Sequence, residues 1–100
     1  MSDKASFACG SDLNIQSASK LKARLEKTLE KQVKTYTLNA SKVEKVDTAG
    51  LQLLIAFVEE AMSQGSEIQW QKPNDVFLNS TKLLGMQQQL NISVDGGEAL

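Results

Sequence analysis

The sequence predicts a single α/β domain, on three observations. Short runs that alternate apolar and polar residues are interleaved with longer runs of helical periodicity. The few turn-forming residues fall between those runs. The chain has 100 residues, enough for one hydrophobic core and too few for two. Regular alternation of strand and helix favours an α/β sandwich with parallel pairing in part of the sheet. No internal repeat, low-complexity tract or Gly/Ser-rich linker interrupts it, so residues 1–100 read as one unit.

In chain order, Ser6 to Cys9 forms a short strand, and Gly10-Ser11-Asp12 a turn after it. Ser17 or Ser19 caps a first helix, in which Leu21, Leu25, Thr28 and Leu29 recur at helical spacing. The other face of that helix (Lys20, Lys22, Arg24, Glu26, Lys27, Glu30 and Lys31) is charged, so one side packs and the other meets water. Tyr36 to Ala40 alternates and reads as a second strand running into Ser41; Val43 and Val46 then flank Glu44 and Lys45 in a short connection. Thr48 to Gln64 carries the strongest helical signal: Leu51, Leu54, Ile55, Val58, Ala61 and Met62 make one stripe, which Leu53 and Phe57 widen. Gly65 suits its C-terminal cap. Glu67 to Gln71 alternates as a strand that Pro73 ends. Asn74 or Asp75 caps a third helix with Val76, Phe77, Ser80, Leu83 and Leu84 on one side, closed by Gly85. Leu90 to Val94 adds a last short strand, and Asp95 to Leu100 reads as a frayed end.

Composition narrows the chemistry. Without His the chain lacks the commonest general base and the commonest transition-metal ligand, and no metal or cofactor is expected. A lone Cys9 forms no internal disulfide, so a reducing cytoplasm is the expected setting; with no adjoining basic cluster it reads as a buried structural thiol. The net charge of −1 is too balanced for a dedicated nucleic-acid or membrane-surface binder. The halves differ, however: residues 1–50 hold 9 basic and 6 acidic residues, residues 51–100 hold 2 and 6. The longest apolar run, Leu53 to Val58, is far short of the ~20 residues a membrane helix needs, and no signal-peptide core follows Met1.

The most informative segment is Val46-Asp47-Thr48-Ala49-Gly50-Leu51, where a hydroxyl stands at the mouth of the best helix. First-turn amides there lack intrahelical partners, and the helix dipole favours negative charge. A phosphate on Thr48 would bring about −1.5 to −2 charges to that place. The small residues Ala49 and Gly50 leave the site open, and Gly50 would let a partner or phosphate approach closely. Asp47 and Thr48 are also preferred N-caps for structural reasons, and the motif alone reads first as a cap.

Its context adds more. The order of elements, with Val46-Asp-Thr-Ala-Gly-Leu-Gln-Leu-Leu54 opening the central helix, resembles the STAS family, whose name joins sulphate transporters and anti-sigma factor antagonists. The resemblance runs from about Ala5 to Val94. It includes the Leu38-Asn-Ala-Ser41 strand end, Gly65 after the helix and the Leu83-Leu-Gly-Met86 close of the third helix. It implies a STAS-like α/β domain, a small mixed sheet with helices packed mainly on one face and a core of about residues 5–94. It also implies a cytoplasmic, non-enzymatic regulatory module. In phospho-regulated members the residue after the Asp is the acceptor, which corresponds to Thr48; several antagonists carry Ser there. The implied partner is a serine/threonine kinase-type anti-sigma factor, released on phosphorylation. Two other resemblances imply other partners. The Thr variant is similar to the small STAS subunit of bacterial phospholipid-trafficking transporters, which docks on an ABC transporter ATPase. The run Thr48 to Phe57 and Ile68-Gln-Trp70 resemble STAS proteins encoded with chemotaxis genes. All three place the working surface at the N-terminus of the central helix; here that puts Asp47, Thr48, Ala49 and Gly50 in the expected contact, and Leu53 and Phe57 are the apolar residues expected beside it.

Other candidates read more plainly. Trp70 is expected in the core or half-exposed, and Glu59 and Glu60 on a solvated face. Lys42 and Lys45 near Asp47 are the available bases for an enzyme, yet no Gly-rich phosphate loop or nucleophile pairing assembles around them.

Overall fold

The computed structural model describes residues 3–92. Its elements are β1 (Lys4–Ala8), β2 (Asp12–Leu13), α1 (Ala18–Leu29), β3 (Thr35–Asn39), β4 (Lys45–Val46), α2 (Thr48–Ser63), β5 (Glu67–Gln71) and α3 (Asp75–Leu83). A single 3₁₀ turn, Ile15–Ser17, leads into α1. The main sheet has the order β1-β3-β5, and β2 and β4 form a two-residue ladder of their own. Every pairing among the described residues is parallel. The cause is the connectivity: α1 returns the chain from β1 to β3 and α2 from β3 to β5, and each helical crossover restores the strand direction.

Register follows the side-chain alternation. Phe7, Leu38 and Trp70 stand opposite one another, as do Ala5, Tyr36 and Ile68. The intervening positions, Ser6 opposite Thr37 and Gln69, and Ala8 opposite Asn39 and Gln71, form a predominantly polar opposite face. Helices lie on the apolar face, where α1 offers Leu21, Leu25 and Thr28 and α2 offers Leu51, Leu54, Phe57, Val58 and Ala61. Phe57 is the central wedge. Its ring meets the Tyr36 ring edge-on at 5.3 Å and stacks at 6.3 Å from Phe7. The Tyr36 hydroxyl, deep in the core, donates to the Leu29 carbonyl at 3.1 Å, so its burial leaves no polar orphan. Cys9 is buried here too; desolvation pushes its thiol up to about 12 against the opposing pull of the Arg24 guanidinium. Trp70 is half-buried, tilted against Phe77 with 4.9 Å between ring centres, and its indole N–H donates to the Leu90 carbonyl at 2.8 Å.

Several elements differ from the sequence reading. The Gly10-Ser11-Asp12 turn and the Glu44–Val46 connection contain paired residues, since Asp12 and Leu13 ladder with Lys45 and Val46. Ser17 precedes α1 but makes no cap bond to it; Asn14 caps the 3₁₀ turn in a reciprocal exchange with Ser17. On α3, Asn74 sets the rotation of the helix. Its side-chain oxygen accepts from the Phe77 amide at 2.9 Å, while its amide donates to the carbonyls of Ser41 and Val43 at 3.2 and 2.8 Å. Phe77 and Thr81, one turn apart, therefore face the core. Val76, Leu83 and Leu84, expected beside Phe77, are turned to solvent, and Leu83 is 86% exposed. Of the strand expected at Leu90 to Val94, Leu90 to Ile92 form a turn and its end; Ser93 and Val94 lie outside the described residues, as does the expected frayed end.

Replacing Phe57 by Ala removes the contact among three rings and leaves a cavity that the sheet cannot close. Urea unfolding is expected to show a loss of about 3–5 kcal/mol, with a native-like far-ultraviolet spectrum before the transition.

Candidate functional site

The start of α2 is built around one carboxylate. Asp47 has an extended backbone and stands at the N-cap, where its Oδ1 accepts from the Gly50 amide at 3.0 Å. Its Oδ2 accepts from the amide of Ile15, 32 residues earlier, also at 3.0 Å. The Asp47 amide in turn donates to the Leu13 carbonyl at 2.9 Å. Asp47 thus fastens the helix start to the loop that follows β2. The amides of Gly50 and Ile15 favour its ionised form and hold its pKa below the ordinary carboxylate value.

Gly50 has a different role from the one its size suggested. It is buried, and a Cβ built on it would lie 2.0 Å from the Leu13 carbonyl oxygen and 2.2 Å from the Leu13 carbonyl carbon. The missing side chain admits this protein's own backbone, not a partner or a phosphate. Phe57 is corrected in the same way: at 2% exposure it belongs to the core. It forms only the floor of a groove of about 230 Å³ between α1 and α2, whose rim includes half-buried Leu53 and exposed Ala56.

Thr48, the first residue of α2, is exposed, and its hydroxyl makes no hydrogen bond with any described residue. Ala49 beside it is half-buried. One apolar residue that the sequence reading missed completes the surface. Ile15 is 66% exposed, and the bond from its amide to Asp47 fixes its backbone at the helix mouth. The available signal was an isolated Ile inside the polar Asn14-x-x-Ser17 cap. Lys42 and Lys45 are exposed, and neither is bonded to Asp47. Among the described residues no group of three or more His, Cys, Asp or Glu side chains is placed to hold a metal ion. A concavity of about 490 Å³ lies between the turns before β3 and β5, at the opposite end of the strands from Thr48. No helix of the described residues is long and apolar enough to cross a membrane.

Two measurements test this construction. Gly50→Ala is expected to cost about 3 kcal/mol through overpacking against Leu13, although Ala is by itself the better helix former by about 1 kcal/mol; an unchanged urea midpoint would refute the close approach. Asp47 has its folded pKa below its unfolded one, so its contribution is complete above the unfolded value and is lost as pH falls through the folded value. Thermal unfolding of Asp47→Asn should start below wild type at neutral pH, and the gap should narrow in acid.

The comparisons bear on the family and the fold. The family model described as "Mlab, STAS domain" matches residues 6–93. No curated protein matches the chain. Among solved structures, the NMR structure of the protein TM1081 is similar with a TM-score of 0.73 and 22% identity, covering 92% of this chain and 74% of that one. The anti-sigma factor antagonist SpoIIAA in its unphosphorylated form is similar with a TM-score of 0.68 and 11% identity, covering 97% of this chain and 79% of that one. At such identities the structures speak for the fold, while the family model spans most of the sequence. The chain belongs to the STAS domain family.

Proposed function

We propose that this chain is a non-enzymatic, cytoplasmic regulatory module of the anti-sigma factor antagonist type, which binds a protein partner at the start of α2 and is switched by phosphorylation of Thr48. The observation that carries the reading is the exposed, unbonded Thr48 hydroxyl on a helix start that Asp47 holds rigid. The contact surface comprises Thr48, Ala49 and the outer side of Asp47, with Ile15 as its apolar neighbour and Leu53 farther along the helix. Gly50 and Phe57 support it from beneath.

The electrostatics support a release switch. A phosphate on Thr48 would place about −1.5 to −2 charges beside the Asp47 carboxylate, which is already held ionised. Helix-end amides offset part of that charge, but Gly50 donates its own to Asp47. Docking the modified surface then requires desolvating two neighbouring anions, which weakens a partner that fits the neutral hydroxyl. The likeness to SpoIIAA, an anti-sigma factor antagonist, favours this reading. The family model's description favours a second one, an accessory STAS subunit docked on the ATPase of a phospholipid-trafficking transporter.

Affinity capture from the native cell with wild type, Thr48→Ala and Thr48→Glu, read by mass spectrometry, separates the two. The switch predicts that Thr48→Ala keeps the partner, that Thr48→Glu loses it tenfold or more, and that a fraction of wild type carries phosphate on Thr48. Equal capture by both variants sinks it. An ATPase captured with unmodified Thr48 establishes the transporter reading instead.

A further inference from the structure

The outer edge of β1 presents a second surface, independent of Thr48. Among the described residues β1 pairs only with β3, and at Ser6 and Ala8 its other side faces no strand among them. The pairing decides which main-chain groups face outward. Thr35 donates to the Asp3 carbonyl at 3.0 Å and Cys9 donates to the Asn39 carbonyl at 2.9 Å, so the odd-numbered residues turn inward to β3. Ser6 and Ala8 therefore direct their amides and carbonyls away from the sheet. Arg24 of α1 donates to the Ala8 carbonyl, and its guanidinium lies 4.6 Å from the centre of the Phe7 ring. The Ser6 amide, the Ser6 carbonyl and the Ala8 amide have no partner among the described residues.

A concavity of about 320 Å³ runs along this edge between Ser6–Ala8 and the side chains of Arg24 and Lys27 on α1 and of Lys31 in the turn after it. Arg24 and Lys27 stand at i and i+3 on α1, Lys20 extends the row one turn back, and Lys31 continues it just past the helix end. No carboxylate lines the concavity, and Lys27 and Lys31 make no ion pair with any described residue. The surface thus combines open main-chain donors and an acceptor at strand spacing with a row of positive charge alongside.

We propose that this edge receives an acidic, extended segment of a partner protein as an added strand next to β1. The free main-chain groups select a polypeptide over a lipid headgroup or a nucleic acid, because only another backbone meets them in register. The row along α1 and the turn after it selects the side chains: on an added strand every second residue faces that row, so the segment carries Glu or Asp at alternate positions.

A fluorescent, end-blocked peptide Thr-Glu-Val-Glu-Thr-Glu, titrated with the full chain by anisotropy and by amide NMR, tests this. The amides of Ser6 and Ala8 are expected to shift. Lys27→Glu combined with Lys31→Glu should weaken binding tenfold or more; both residues are exposed, so the fold is kept, and the pair Lys27→Gln and Lys31→Gln should weaken it less. N-methylation of alternate peptide amides should abolish binding in one phase of the alternation and spare it in the other. Three results overturn the proposal: equal binding of the Lys-for-Glu peptide, indifference to N-methylation in both phases, or anisotropy unaffected by the Lys27 and Lys31 variants. Preferential binding of phosphatidylglycerol vesicles at these lysines, or dimerisation of the free chain through this edge in sedimentation, would equally overturn it by assigning the surface to another occupant.

Discussion

The geometry at the start of α2 depends on the two hydrogen bonds accepted by one carboxylate. Asp47 joins the first turn of α2 to the amide of Ile15, and Gly50 lets the two backbones meet closely enough for that to happen. Neither residue suffices alone. A side chain at position 50 would push the helix off Leu13, and a shorter or uncharged residue at 47 would lose an acceptor on one side. Together they convert a helix end, ordinarily the most frayed part of a helix, into a fixed platform on which Thr48 stands. The apparent openness of Ala49-Gly50 in the sequence is thus half illusory: the small residues face inward as much as outward.

Much of the architecture was legible because the relevant signals are local. The period of α2, the alternation of β5 and the Asn74 cap before α3 depend on neighbours in the chain, and their boundaries fall within a residue or two of expectation. Failures came where a distant contact decides. The two-residue ladder of β2 and β4 is too short to leave a pattern. The rotation of α3 is set by Asn74 reaching back to Ser41 and Val43, so three apolar residues that seemed to belong inside face water. Parallel pairing, by contrast, was legible in part, because strands that alternate with helices are joined by crossovers. At the site, Asp47 and Thr48 were legible from capping chemistry, whereas Ile15 was not. Its place depends on a bond spanning 32 residues that no periodicity announces.

The sheet explains why the helices share one side. Phe7, Leu38 and Trp70 across one row and Ala5, Tyr36 and Ile68 across the next make a continuous apolar face, and Phe57 is the residue of α2 that fills the hollow between the rings. The reverse face carries Ser6, Thr37 and Gln69, which need no cover. Parallel sheets usually carry helices on both faces; here one layer suffices because the far side is already polar.

Trp70 gives this architecture a built-in optical reporter. It is the single Trp of the chain, its ring lies on Phe77 of α3, and its N–H is held by the Leu90 carbonyl. Its emission therefore follows the docking of α3 and of the turn around Leu90 on β5. Intrinsic fluorescence can accordingly register whether the scaffold is folded while changes are made at the helix start, separating lost recognition from lost structure in a single cuvette.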